Sequence, residues 1–268
     1  MLSIRPETTP LAMISVYVGG LVAGGGFDSS SLLLAVAASF FITGASMTFN
    51  DYFDWPIDII NHQKRPIPQG IITPKEMLVF SLVFFIIGSM LAFSINILCG
   101  LIALISIFLL VVYEVLTKNI GITGNITVAF ISAMSFTFGG AAVNNPFSSL
   151  IISLLTFVII LGREIIMDIR DTKGDKQTRK TLSVQIGEKK ASYIAAVFLI
   201  LSAILTPLPY LLGILSIYYL ILILPVAVLS LFSTLWLIRN IEKAGIIAHI
   251  IRGSLAVGLL AFIAGILL

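Results

Sequence analysis

Nine apolar runs, at 10–26, 31–50, 77–94, 97–116, 122–142, 148–167, 189–206, 211–237 and 246–267, occupy most of the 268-residue chain. At 1.5 Å rise per residue, about 20 apolar residues cross the roughly 30 Å hydrocarbon core of a bilayer. Lipid offers no partner to backbone N–H and C=O groups, so each run must satisfy its own as a helix. Charged residues are 11% of the chain, against about 25% in soluble domains. Hydrophobic residues are 58% and the mean hydropathy is +1.10, which leaves no stretch for a soluble domain. The expectation is an all-α integral membrane protein, residues 1–268 forming a single polytopic domain with nine transmembrane helices. Pro74 marks the start of the third run, Asn96 parts the third from the fourth, and Asn144-Asn145-Pro146 parts the fifth from the sixth. Pro225 falls inside the eighth run, where it should kink the helix. The first run behaves as a member of this series rather than as a cleaved signal peptide. Cys99 is the only cysteine, which excludes an internal disulfide and a cysteine-cluster metal site.

Charge supports the count. Arg5 precedes the first run; Lys64, Arg65 and Lys75 follow the second; Lys118 follows the fourth. Arg163, Arg170, Lys173, Lys176, Arg179, Lys180, Lys189 and Lys190 lie at or after the end of the sixth, and Arg239, Lys243 and Arg252 flank the gap after the eighth. With nine spans, all 16 basic residues fall on one side, and the opposite gaps carry only Asp28. By the positive-inside rule that side, with the N-terminus, is cytoplasmic. The net charge of +3 is therefore topological and does not point to nucleic acid.

Two acidic stripes stand out on that side. The first is Asn50-Asp51-Tyr52-Phe53-Asp54-Trp55-Pro56-Ile57-Asp58, ending the second span; the second is Asp168-Ile169-Arg170-Asp171-Thr172-Lys173-Gly174-Asp175, ending the sixth. In both, acids recur at i, i+3 and i+7 and share one helical face, and Glu164 extends the second stripe by a turn. At an effective dielectric of about 20, like charges 4 Å apart repel by roughly 4 kcal/mol, so something must neutralise them. Oxygen ligands suit Mg²⁺, which takes one or two carboxylates plus substrate phosphates. Apart from His62 no His or Cys stands beside these acids, which disfavours zinc. The plainer reading, a solvated acidic loop paired with nearby Lys and Arg, fits one stripe better than two with matching spacing. Four spans separate the stripes, which suggests two pseudo-repeated four-helix halves plus one helix around a central cavity. Pro56 removes a helical hydrogen bond, so the second helix is expected to end near Asp54, leaving Asp58 in doubt.

Lys64, Arg65, Lys118, Arg179 and Lys180 lie where a diphosphate would need cations, Arg offering bidentate contacts and Lys a point charge. Lys75, Lys189, Lys190, Arg239 and Lys243 read as membrane anchors. Glu114 and Lys118 have the spacing of a helical i,i+4 pair.

The first stripe resembles the NDxxDxxxD motif of the UbiA superfamily of intramembrane prenyltransferases, and Asp171-Thr-Lys-Gly-Asp175 resembles its DxxxD motif. Tyr113-Glu-Val-Leu-Thr-Lys118 with Gly124-Asn125 also resembles the family, and the likeness covers nearly the whole chain. Asn61-His-Gln-Lys-Arg-Pro-Ile-Pro-Gln-Gly70 and Phe136-Thr-Phe-Gly-Gly-Ala141 look most like its archaeal ether-lipid branch. The resemblance implies Mg²⁺ held by Asn50, Asp51, Asp54, Asp58, Asp168, Asp171 and Asp175, with Asp51, Asp54, Asp171 and Asp175 as the catalytic core. It implies a geranylgeranyl diphosphate donor and a lipid-like phosphorylated acceptor, geranylgeranylglyceryl phosphate, alkylated at its 2-hydroxyl. Tyr52, Tyr113, Asn125, Arg163 and Arg170 are candidates for holding the acceptor or stabilising the allylic cation. An aromatic acceptor, as in quinone biosynthesis, would use the same motifs. An ion-coupled transporter would place ionisable groups near the bilayer midplane, and here nearly all lie towards one face.

Overall fold

The computed structural model describes residues 8–61, 63–175 and 179–268; within it the side chains of Ile60, Asn61, Lys173 and Asp175 lie outside the description. The helices are α1 (Thr9–Val22), α2 (Ser30–Asn61), α3 (Pro74–Ile95), α4 (Ile97–Val115), α5 (Thr123–Ala142), α6 (Leu150–Asp175), α7 (Leu182–Ile186), α8 (Glu188–Leu205), α9 (Leu208–Leu211), α10 (Ile217–Arg239) and α11 (Ala244–Leu267). Among the described residues, eight are long and apolar enough to cross a membrane, and α1, with 14 residues, is a shorter ninth apolar helix. The expected nine-helix, all-α membrane architecture holds. The eighth span begins at Ile217 instead of 211, because residues 208–216 form the short α9 and a turn through Gly213 at positive φ.

Local chemistry sets the helix ends. Thr73 and Glu76 make a reciprocal capping box at the start of α3, with Pro74 at the first helical position, where a missing N–H costs nothing. Asn96 breaks α3 from α4 in extended backbone, and its side chain accepts from Cys99 N at 2.8 Å to cap the new helix. Large side chains such as Val79, Ile86, Met90, Phe108, Ile204 and Val228 are exposed along the helices. In water such a surface would be unsustainable; here it faces lipid.

The domain expected over residues 1–268 comprises two compact units. The first holds residues 1–114 and 135–147, the second 115–134 and 148–268. In the first, α2 packs along α3 and α1 packs on α2. Small residues let α1 and α5 touch backbone to backbone: a methyl group on Gly19 would sit 2.1 Å from the Phe136 carbonyl oxygen, and one on Gly139 1.9 Å from that of Val16. Beneath the first acidic stripe lies a core of Ala45, Phe49 and Phe85 with Ile42, Leu78 and Ile107. In the second unit α6 packs against α8 and α11, and α10 against both α8 and α11. Its core includes Ile165, Ile166 and Ile169 of α6, Leu199 of α8 and Ile247 and Ile251 of α11.

Candidate active site

The length of α2 positions the first stripe. Its 32 residues span about 48 Å, well beyond a 30 Å core, so a helix that starts its crossing near Ser30 carries residues 50–61 to the membrane boundary. Contrary to expectation, α2 does not end near Asp54: it continues through Pro56 to Asn61. Pro56 and Ile57 are exposed, so the proline ring lies on the outer face of the helix. The turn beyond is anchored from the buried face, where Arg65 Nη1 lies 2.5 Å from Asp58 Oδ2 and 3.2 Å from Asp51 Oδ1. Both carboxylates are nearly inaccessible, at 4% and 5% side-chain exposure. Asp58 is therefore a full member of the stripe, a turn below Asp54 and facing the same guanidinium as Asp51. One helix turn above, Asn50 Nδ2 donates to Glu114 Oε1 at 2.8 Å and to Asp54 Oδ2 at 3.3 Å. The Asn50 amide thus separates two like charges that belong to α2 and α4.

Tyr52 is half-buried, edge-on to Phe53, which in turn meets Phe49 edge-on with ring centres 4.9 Å apart. Tyr113 is half-buried near the end of α4. Helix α4 stops at Val115, so Glu114 and Lys118 do not share one continuous α-helix; Lys118 sits in a 3₁₀ turn, Thr117–Asn119. Lys64 is exposed in the turn after α2.

In the second unit, Asp168 accepts from Asn125 Nδ2 at 3.0 Å, and Asn125 is 6% exposed. The Asn125 amide fixes the carboxylate's direction, so Asn125 orients an acid of the stripe. Asp171 takes two bonds from Arg170, Nε at 2.6 Å and Nη2 at 2.5 Å, a bidentate fork near the surface. Asp175 is the last residue of α6, and its side chain lies outside the described residues.

The chain after α6 is tied back onto it. Thr172 and Ser183 hydroxyls stand 2.7 Å apart, and both reach the Asp168 carbonyl oxygen, at 2.9 and 2.8 Å. Thr172, Thr181 and Ser183 are all buried. A two-residue parallel ladder then pairs β1 (Ile120–Gly121) with β2 (Lys180–Thr181), Ile120 opposite Lys180. This ladder sets the turn carrying Lys118 beside the segment carrying Arg179 and Lys180, three of the cations expected to meet a diphosphate. Hydropathy could not reveal this pairing, because two residues give no periodicity. The roles of Glu114, Thr172 and Ser183 were equally hidden, since each depends on a partner remote in sequence.

Deeper on α6, Arg163 Nη1 contacts Glu164 Oε1 at 2.5 Å, with the side chains 11% and 21% exposed. Among the described residues no three Asp, Glu, His or Cys side chains converge tightly enough to hold a metal alone. The donor set nonetheless fits Mg²⁺, whose shell is completed by substrate phosphates and water.

The UbiA prenyltransferase family model matches residues 12–265. A digeranylgeranylglyceryl phosphate synthase of Methanopyrus kandleri is 36% identical over 264 residues, covering 98% of this chain and 97% of its own. A solved structure concerned with digeranylgeranylglyceryl phosphate synthase in membranes superposes with TM-score 0.84 at 34% identity, over 98% of this chain and 95% of that one. A UbiA homologue from Archaeoglobus fulgidus, bound to GPP and Mg²⁺, has the same fold at TM-score 0.70 and 19% identity, over 96% of this chain and 98% of its own.

Proposed function

Because the chain belongs to the UbiA prenyltransferase family, we propose that it transfers a geranylgeranyl group from its diphosphate to the 2-hydroxyl of geranylgeranylglyceryl phosphate, forming an ether lipid precursor. The observation that carries the choice of acceptor is the near-full-length likeness to relatives named for that reaction. The reaction class rests on the two oxygen-rich stripes, each at the end of a long helix and each accompanied by cations. By the positive-inside rule, the N-terminus and both stripes face the cytoplasm.

Asn50 through its amide oxygen, with Asp51, Asp54, Asp58, Asp168, Asp171 and Asp175, would hold Mg²⁺ against the donor diphosphate. Bound Mg²⁺ supplies positive charge where negative charge grows on the leaving group. Lys64, Arg65, Lys118, Arg179 and Lys180 add cationic contacts to the same diphosphate. Arg65, paired with Asp51 and Asp58 here, would turn to the diphosphate where those two acids hold Mg²⁺. In the step itself, the allylic C–O bond breaks with its electron pair on the diphosphate. The acceptor oxygen forms the new C–O bond and the hydroxyl proton is released. Aromatic rings such as Tyr52 and Tyr113 favour the cationic carbon, and apolar walls keep out the water that would capture it.

The test is a competition. Purified protein with geranylgeranyl diphosphate and Mg²⁺ is offered geranylgeranylglyceryl phosphate and 4-hydroxybenzoate together, and products are identified by mass. The diether phosphate is expected; prenylated benzoate alone would show that the acceptor is aromatic.

A further inference from the structure

Helix α4 carries a single charged residue, Glu114, one position before its end. The residues that precede it show which way it faces. Ile107, Leu110 and Val111 pack against the core of Ala45, Phe49 and Phe85, and Glu114 follows them at i+7, i+4 and i+3 on the same helical face. The apolar contact between α4 and α2 therefore ends in a polar one, Asn50 Nδ2 donating to Glu114 Oε1 at 2.8 Å. Glu114 is half-buried there. A carboxylate on an otherwise apolar membrane helix is costly and marks a site of function.

The amide of an asparagine turns about a broad, two-fold torsion, so its partners decide which end faces which way. For a ligand to Mg²⁺ that choice is decisive, because the cation takes oxygen and would be repelled by the amide hydrogens. Carboxylate oxygens accept, so the edge of Asn50 that meets Glu114 and Asp54 is its nitrogen, and the carbonyl oxygen is turned away from both. The two bonds are unequal, 2.8 Å to Glu114 and 3.3 Å to Asp54. Asp54 is itself among the acids assigned to Mg²⁺ above, and a carboxylate that turns to the metal gives up the longer bond. Glu114, held on a different helix, keeps the shorter one.

We infer that Glu114 is a positioning residue of the metal site: by holding the Asn50 amide nitrogen from α4, it aims the Asn50 carbonyl oxygen at Mg²⁺. The inference rests on the Mg²⁺ reading of the first stripe given above, and it gives the last turn of α4 a part in that site which neither acidic stripe contains. Glu114 acts at one remove, through Asn50. Hydrogen-bond partners of this kind fix a ligand's direction, and losing one costs about tenfold to a hundredfold in metal affinity.

The Mg²⁺ concentration giving half the maximal effect is measured in two ways. One is the rise in melting temperature of the purified protein as Mg²⁺ is added with inorganic diphosphate; the other is the initial rate of prenyl transfer. Glu114→Ala is expected to raise both values about tenfold to a hundredfold. Glu114→Gln, equally uncharged but with a carbonyl oxygen that still accepts from Asn50 Nδ2, should recover most of that loss. In an Asn50→Ala background, where no amide remains to be aimed, Glu114→Ala should add nothing further. A bond that only ties α4 to α2 would lower the melting temperature in EDTA and leave both Mg²⁺ values alone, and that result would overturn the role. So would a Glu114→Gln protein as impaired as Glu114→Ala, or a second loss in the Asn50→Ala background, since Glu114 would then act by its charge or as a ligand. If Mg²⁺ with diphosphate leaves the wild-type melting temperature unmoved, the metal reading of the stripe and the role of Glu114 fall together.

Discussion

Replacing Arg65 by Gln should unmask what the first stripe costs the protein when no metal is bound. Arg65 Nη1 lies within 3.2 Å of Asp51 and 2.5 Å of Asp58, and both acids are at most 5% exposed. Removing one partner from a buried ion pair typically costs about 3–5 kcal/mol, because the remaining charge is left in a low-dielectric site. Arg65 is itself 24% exposed, so water already screens part of its charge and the lower end, about 3 kcal/mol, is the expected loss. For a chain of this size that corresponds to a melting temperature roughly 6–12 °C lower. Cys99 provides the assay: it is the only cysteine and is buried, so a thiol-reactive fluorophore reports unfolding. The melts are run in EDTA and again in millimolar Mg²⁺. A divalent cation on the same carboxylates should close most of the gap between variant and wild type. If Arg65→Gln melts with wild type in EDTA, or if Mg²⁺ leaves the gap unchanged, the pairing of Arg65 with these two acids is not what neutralises the stripe.

Asn125→Ala should lower kcat by about tenfold or more with the melting temperature little changed, since it releases the Asp168 carboxylate that Asn125 orients at 3.0 Å; steady-state rates beside a melt check this. Gly139→Ala should destabilise the first unit by about 1–3 kcal/mol, because its methyl would sit 1.9 Å from the Val16 carbonyl oxygen and backbone cannot step aside cheaply. Gly253→Ala, where a methyl meets nothing within 4 Å, is the matched control and should melt at or above wild type.

Much of the architecture could be read from hydropathy because a membrane leaves few options: long apolar runs become helices, and Thr73-Pro74 and Asn96 announce their ends chemically. Both acidic stripes were equally visible, since repeating acids beside apolar runs have no packing explanation. Pro56 misled for a physical reason. The penalty for an interior proline is local, whereas the continuation of α2 is fixed by Arg65 pulling Asp58 towards Asp51 from the far side of a turn. The β1–β2 ladder is likewise a product of tertiary packing, not of strand propensity.

Joint action of acids from both stripes in Mg²⁺-dependent prenyl transfer is the proposal on which the rest depends. It is tested most directly by the rate of diether phosphate formation from geranylgeranyl diphosphate and geranylgeranylglyceryl phosphate, measured for wild type, Asp54→Ala and Asp171→Ala, with Mg²⁺ and with EDTA. Wild type should be active with Mg²⁺ and silent in EDTA, and each variant, folded by its melt, should lose at least about a hundredfold in rate. A folded Asp54→Ala or Asp171→Ala enzyme that keeps near wild-type rates, or a wild type indifferent to EDTA, would contradict it.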